Sequence, residues 1–256
     1  MPLYNGEPYL KDALRCLLRQ SHADFELIIS DNASNDGTEK ICRELADTDP
    51  RVRYIRQDKN IGPLANFQLV LSEATGKYFM WAAHDDRWHP DFIKRLVSLL
   101  EDDPGCALAF SNYIVRNLDT GTETFHKVYA PNSQSLVIHY LMRIIRMCPS
   151  MIYGLYRKEA MDKEILTESF DYADVHYVLE LASRKRVRIL DDFLYIAGTK
   201  GDRQPYSVSH QKIDHSTFLG KQRALIFSRF SLPVAMLLFS VTCVIILSNK
   251  IRLWRY

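Results

Sequence analysis

Over the first 115 residues, short runs rich in β-branched and aromatic side chains alternate with segments of helical periodicity, and no other feature of the sequence narrows the fold so far. The runs are 25-FELIIS-30, 52-VRYIRQ-57, 77-KYFMWAA-83 and 106-CALAFSNYIV-115. Between them, residues 8–20 gather Leu10, Ala13, Leu14, Leu17 and Leu18 on one helical face, and residues 38–46 gather Ile41, Cys42 and Leu45. Residues 64–74 do the same with Phe67, Val70 and Leu71, and residues 92–100 with Phe92, Ile93, Leu96, Val97 and Leu100. Such units imply right-handed βαβ crossovers and a mainly parallel twisted sheet flanked by helices, a Rossmann-like α/β fold. Met1-Pro2-Leu3-Tyr4 reads as the tail of one more strand, so the first strand is expected to be truncated.

In open sheets of this kind, ligands bind beyond the carboxyl ends of the strands. Three polar loops fall there: 1-MPLYNGE-7, 31-DNASNDG-37 and 84-HDDRW-88. Asp85 and Asp86 stand side by side after an apolar run, where like charges repel and raise one another's pKa. A hard divalent cation, Mg²⁺ or Mn²⁺, relieves that repulsion and is commonly held by one or two carboxylates plus substrate phosphates. The plainer alternative is a solvated Asp-Asp pair at a helix N-terminus.

Charge and cysteine usage trim the list of functions. Thirty-three Lys and Arg face thirty-one Asp and Glu, for a formal net charge of +2, without the basic excess of a nucleic-acid binder, so no nucleic-acid partner is expected. Cys16, Cys42, Cys106, Cys148 and Cys243 are widely spaced, lack zinc-ligand spacing, and read as reduced thiols of a cytosolic protein.

The runs 2-PLYNGEPYLKDALRCLLRQSHADFELIISDNASNDGT-38 and 59-KNIGPLANFQLVLSEATGKYFMWAAHDDRWHPDFI-93 resemble the nucleotide-binding region of the inverting GT-A glycosyltransferases of family 2. The residues that carry the resemblance are the P-x-Y-N start, Gln20-Ser21, Asp24-Phe25-Glu26, Asp31-Asn32, Ser34 and Asp36-Gly37-Thr38. It implies that Tyr4 packs on the donor base, that Asp31 bonds a uracil-like imide N–H, that Asp85 contacts ribose or a metal-bound water, and that Asp86 is the direct metal ligand. Pro2, Asn5, Glu7 and Asn32 join them as candidate donor contacts. Many members carry a further acid two residues before Asp85; this chain has Ala83. The resemblance implies a UDP-sugar as the default donor, a glycan or lipid-linked hydroxyl as acceptor, and Mg²⁺ or Mn²⁺ as cofactor.

Beyond residue 117 the alternation loosens. A turn is expected at 117–125, a helix at 136–147, strands at 150–157, 186–190 and 193–198, and a helix at 170–185. An inverting transfer needs a base on the far side of the sugar, and the family places an acid at the start of a helix in the acceptor half. Asp174 aligns best with that position and Asp171 second, while Lys200 and Arg203 are candidate diphosphate contacts. Simple helix capping is the alternative for either aspartate. Residues 232–247 form an uncharged apolar run between Lys221, Arg223 and Arg229 on one side and Lys250, Arg252, Trp254 and Arg255 on the other. A membrane contact across 230–248 is the first reading and a buried core helix the second. The expected organisation is a donor half at 1–115, an acceptor half at 116–215 and a C-terminal helical segment at 216–256, working in the cytoplasm or at the cytoplasmic face of a membrane. The competing functions are a nucleotidyltransferase, for which no Gly-rich phosphate loop is visible, and a non-catalytic remnant of the same fold.

Overall fold

The computed structural model of the chain describes residues 1–129, 131, 133–146, 148–161, 173–200 and 215–249. The elements of the first half follow the alternation: β1 (Pro2–Leu3), α1 (Glu7–Leu18), β2 (Leu27–Asp31), α2 (Thr38–Ala46), β3 (Val52–Arg56), α3 (Pro63–Glu73), β4 (Tyr78–Phe79), β5 (Arg87–Trp88) and α4 (Phe92–Glu101). The second half adds β6 (Cys106–Asn117), β7 (Glu123–His126), α5 (Leu136–Ile145), β8 (Leu155–Arg157), α6 (Ala173–Arg184), β9 (Arg186–Thr199), α7 (His215–Arg229) and α8 (Leu232–Asn249).

One sheet is parallel throughout, in the order β1-β2-β3. All five residues of β2 are buried, as a central parallel strand covered on both faces requires. The short β1 pairs Leu3 with Asp31, and the amino group of Met1 donates to the Ile28 carbonyl at 2.6 Å. The second sheet runs β4-β8-β6-β9-β5, with β7 also on β6. Its β6–β9 pair is parallel, whereas β4–β8, β5–β9, β6–β8 and β6–β7 are antiparallel. The parallel pairing read from the alternation therefore holds for the first sheet, and the second is mixed.

Buried polar side chains lock the helices to the sheet. Gln20, 5% exposed at the end of α1, donates to the His89 carbonyl at 2.8 Å and accepts from the Ile93 amide at 3.0 Å. Ser21 adds a bond from its hydroxyl to Asp91 at 2.7 Å. The Gln-Ser pair thus clamps the end of α1 to the start of α4. Asn66 of α3 exchanges bonds with Ser30 of β2: it accepts from the hydroxyl at 2.6 Å and donates to the carbonyl at 2.9 Å.

Four expected strands change shape. Of residues 77–83, only Tyr78 and Phe79 pair with β8. Residues 150–157 open as a 3₁₀ turn, Pro149–Tyr153, because proline fixes φ and has no N–H for a ladder, and extended pairing begins at Leu155. The two strands expected at 186–190 and 193–198 are one, β9. The polar Asp191-Asp192 that reads as a turn is instead a register irregularity, held by Asn112 to Asp191 at 3.0 Å and Arg95 to Asp192 at 2.6 Å. The turn expected near Gly121 is present, with that glycine at φ +74°.

Two apolar clusters fill the interior. The larger lies around the sheets and α1–α4. The smaller joins α5 to α8 through Tyr140, Ile144, Val175, Leu179, Phe218, Ile226, Ala235 and Leu238. Among the described residues no helix is long and apolar enough to cross a membrane.

Candidate active site

The three polar loops read from the sequence meet at one edge. The loop after β1 is stitched to the loop after β2. The Asn5 amide donates to the Ser34 hydroxyl at 2.9 Å, the Gly6 amide to Thr38 Oγ1 at 2.9 Å, and the Asn35 amide to Asn5 Oδ1 at 3.0 Å. Glu7 closes the seam twice: its carboxylate accepts from the Gly37 amide at 2.9 Å, and its own amide donates to Asp36 at 3.2 Å. The seam explains why Pro2, Asn5 and Glu7 sit in one motif. Pro2 lies opposite Ser30 in the β1–β2 pair, while Asn5 and Glu7 bond the backbone of the loop after β2. The third loop lies against it, because a Cβ on Gly6 would stand 3.1 Å from the His84 ring and 2.5 Å from Leu3. Glycine is required there for close approach. His84 is half-buried in that contact.

Asp31 ends β2 and is fully buried. Its Oδ1 accepts from the Ser34 amide at 2.9 Å, and its Oδ2 from the Tyr54 hydroxyl at 2.7 Å and Arg56 Nη1 at 2.6 Å. A carboxylate has about four acceptor positions, and three of those of Asp31 are filled by the protein itself. Burial first and the hydrogen bond to Asp31 second push the Tyr54 hydroxyl above its ordinary pKa, so it stays a donor. Asn32 is 3% exposed and spends its amide on Asn60 at 2.9 Å, the Gly62 carbonyl at 3.2 Å and the Ile61 amide at 2.7 Å. Asn32 is thus a loop organiser with its side chain committed. Directly after these two anchored residues Ala33 is held at φ +59°, a left-handed conformation that costs a residue with a side chain about 1–3 kcal/mol. Tyr4, by contrast, is 46% exposed at the mouth of the seam. It is no core aromatic, and its ring is open to a stacking partner.

The carboxylate pair is divided by burial. Asp86 is 3% exposed: its Oδ2 accepts from the Tyr195 hydroxyl in a short bond, and its Oδ1 from the Gly198 amide at 3.0 Å. Burial first, and the neighbouring charge of Asp85 second, push its carboxyl up to about 7. Asp85 is half-buried, and its carboxylate has no hydrogen-bond partner among the described residues. Sequence reading gave the direct metal role to Asp86. The two hydrogen bonds of Asp86 run to Tyr195 and Gly198 of β9. Gly198 completes the arrangement, since a Cβ there would collide with the Asp85 carbonyl oxygen.

The donor chemistry fits a hard cation: a half-buried carboxylate in the turn before β5, with ligand phosphates and water to fill the shell. Among the described residues no three His, Cys, Asp or Glu side chains cluster with metal-binding geometry, so the protein offers a partial shell only.

Asp174 lies in the first turn of α6. Its Oδ2 is enclosed without a hydrogen-bond partner among the described residues, and burial pushes its carboxyl up to about 6. The helix is joined to the β4 segment by Trp81, which is fully buried and meets Tyr156 at 5.6 Å and Tyr177 at 6.2 Å between ring centroids. Lys200 places its ammonium over the Tyr9 ring at 4.3 Å. Trp88 is 4% exposed and packs on Tyr195. Asp171 and Arg203 lie outside the described residues.

Four residues of this site escape a reading by motif: Tyr54, Arg56, Tyr195 and Gly198. The parallel register pairs Asp31 with Arg56, so the alternation along 52-VRYIR-56 carried the signal for the first two. Tyr195 and Gly198 act across more than a hundred residues of sequence and leave no local trace.

This fold is that of the GT-A glycosyltransferases. It superposes on Staphylococcus aureus TarS 1-349 in complex with UDP-GlcNAc with a TM-score of 0.67, at 18% identity, over 88% of this chain and 64% of that one. The mannosyltransferase PcManGT from Pyrobaculum calidifontis, in complex with GDP-Man and Mn²⁺, gives 0.55 at 15% identity, over 97% and 73%. Residues 1–164 match the profile of glycosyl transferase family 2, and the chain belongs to that family. A curated relative is the glycosyltransferase TuaG of Bacillus subtilis (strain 168), named for teichuronic acid biosynthesis and 30% identical over 132 residues, 52% of each chain. A Haemophilus influenzae glycosyltransferase is 36% identical over 100 residues, 39% of this chain and 40% of that one. The chain spans about half the length or less of these curated relatives.

Proposed function

We propose that this chain transfers a sugar from a nucleoside-diphosphate donor, a UDP-sugar, to a hydroxyl of a glycan or lipid-linked acceptor, with inversion at the anomeric carbon. The observation that carries the proposal is the divided carboxylate pair beside the Tyr4–Asp31 seam. A buried, tethered Asp86 fixes the loop, while the half-buried Asp85 lies beside it in the turn before β5. In this reading residues 1–115 hold the donor, residues 116–215 the acceptor, and residues 216–256 place the enzyme at the cytoplasmic face of a membrane.

Each residue has a task that follows from its surroundings. Tyr4 offers an exposed ring for the base. Asp31, held by Tyr54 and Arg56, is assigned the base N–H on the family resemblance. Asp85 would hold Mg²⁺ or Mn²⁺ together with the donor diphosphate; the metal would offset the charge that develops on the leaving group. Asp174 takes the acceptor proton. A carboxyl raised to about 6 is a better base than an ordinary one and is still ionised at neutral pH.

The test is nucleotide release from UDP-, GDP- and dTDP-sugars in the presence of Mn²⁺ and a hydroxyl acceptor, with the product anomer read by NMR. Release of UDP with an inverted product is expected. No release from any donor, or a retained anomer, contradicts the proposal.

A further inference from the structure

Helix α8 has two apolar faces and only one of them is used. Ala235, Leu238, Thr242 and Ile246 are buried in the cluster shared with α5 and α7. On the other side Leu232, Met236, Leu237 and Val244 are 59–66% exposed, and no residue of α8 carries a charge. A helix on the surface of a globular domain normally turns polar residues outward. Beside this strip, α7 exposes Phe227 at 41%, together with Arg223 and Arg229.

Charge indicates what covers the strip. From His215 to the last residue there are six Lys and Arg (Lys221, Arg223, Arg229, Lys250, Arg252 and Arg255) and no Asp or Glu. The remainder of the chain holds 27 basic and 31 acidic residues, which leaves the positive charge concentrated at this end. Apolar side chains in a strip about 18 Å long, at about 1.5 Å per residue from Leu232 to Val244, with the exposed Arg223 and Arg229 on the neighbouring α7, match an anionic bilayer surface. Spanning does not suit the helix, because one of its faces is already committed to protein.

We propose that α8 lies in the plane of an anionic membrane, with Leu232, Met236, Leu237 and Val244 in the acyl boundary and the arginines of α7 on phospholipid headgroups. This deepens the membrane placement stated above and is independent of the chemistry at Asp85.

The test is cosedimentation of the full chain with vesicles of phosphatidylglycerol and phosphatidylcholine, against pure phosphatidylcholine. Wild type should partition onto the anionic vesicles at least tenfold more strongly, and high salt should weaken it. The exposed-face double variant Met236→Asp/Leu237→Asp should lose at least tenfold while keeping the wild-type melting temperature. Arg223→Glu/Arg229→Glu should lose the preference for anionic lipid. Two results overturn the proposal: wild type that ignores both vesicle types, or a monodisperse dimer in light scattering that ignores vesicles and dissociates in the Met236→Asp/Leu237→Asp variant. The assay reads no catalysis, so its failure leaves the proposed glycosyl transfer standing.

Discussion

Replacing Asp174 by Asn should yield a protein that is more stable at neutral pH and catalytically dead. The Asp174 carboxyl, with Oδ2 shut away from water and without a partner among the described residues, is raised from 3.8 to about 6 by burial. The unfolded chain releases this proton near pH 4 and the folded chain near pH 6. Between those values the folded state binds more protons, so the contribution of this group makes stability fall as pH rises, and it is flat above about 6. Two pH units at about 1.4 kcal/mol each make a penalty of about 3 kcal/mol at pH 7. Asn carries no charge and escapes it. At about 2–4 °C per kcal/mol for a chain of this size, the variant should melt higher by up to about 10 °C at pH 7.5 and by little at pH 4. Thermal melts of both proteins from pH 4 to 8 measure the difference, and Asp86 cancels because both proteins keep it. Turnover should vanish in the Asp174→Asn variant, and wild-type kcat/KM should rise with pH through about 6 as the base ionises. Parallel melting curves across the whole range would refute the reasoning, as would a variant that keeps its turnover.

Two other substitutions probe the site from opposite directions. Gly198→Ala puts a Cβ against the Asp85 carbonyl, which as backbone cannot swing aside. It should cost about 1–3 kcal/mol in chemical denaturation and weaken metal-dependent nucleotide binding at the same time. Tyr4→Ala removes an exposed ring; calorimetry should show about tenfold weaker nucleotide binding, near the upper range for a stacked aromatic, with an unchanged melting temperature.

Periodicity carried most of the fold because β2, α1, α2 and α4 obey local rules: buried runs, proline at a helix start, apolar residues at helical spacing. It failed where long-range pairing decides. β9 runs through Asp191-Asp192 because Asn112 and Arg95 satisfy both carboxylates, and neither partner is near in sequence. The same limit applies at the site. The motif drew attention to Asp31, Asp85 and Asp86, yet the hydrogen bonds that hold Asp86 come from Tyr195 and Gly198, which the topology brings in from β9. Gln20 was legible only as a family signature. Its bonds to His89 and Ile93 supply the physical reason, a clamp between α1 and α4.

The most direct test of the donor site is calorimetric titration of UDP, GDP and dTDP, with and without Mn²⁺, into wild type, Asp85→Asn and Asp86→Asn. UDP should bind wild type in a Mn²⁺-dependent manner. Asp85→Asn should lose the metal dependence, and Asp86→Asn, whose amide can still meet Tyr195 and Gly198, should keep it. Binding of no nucleotide to folded wild type, or metal-dependent binding that survives in Asp85→Asn, would contradict the account.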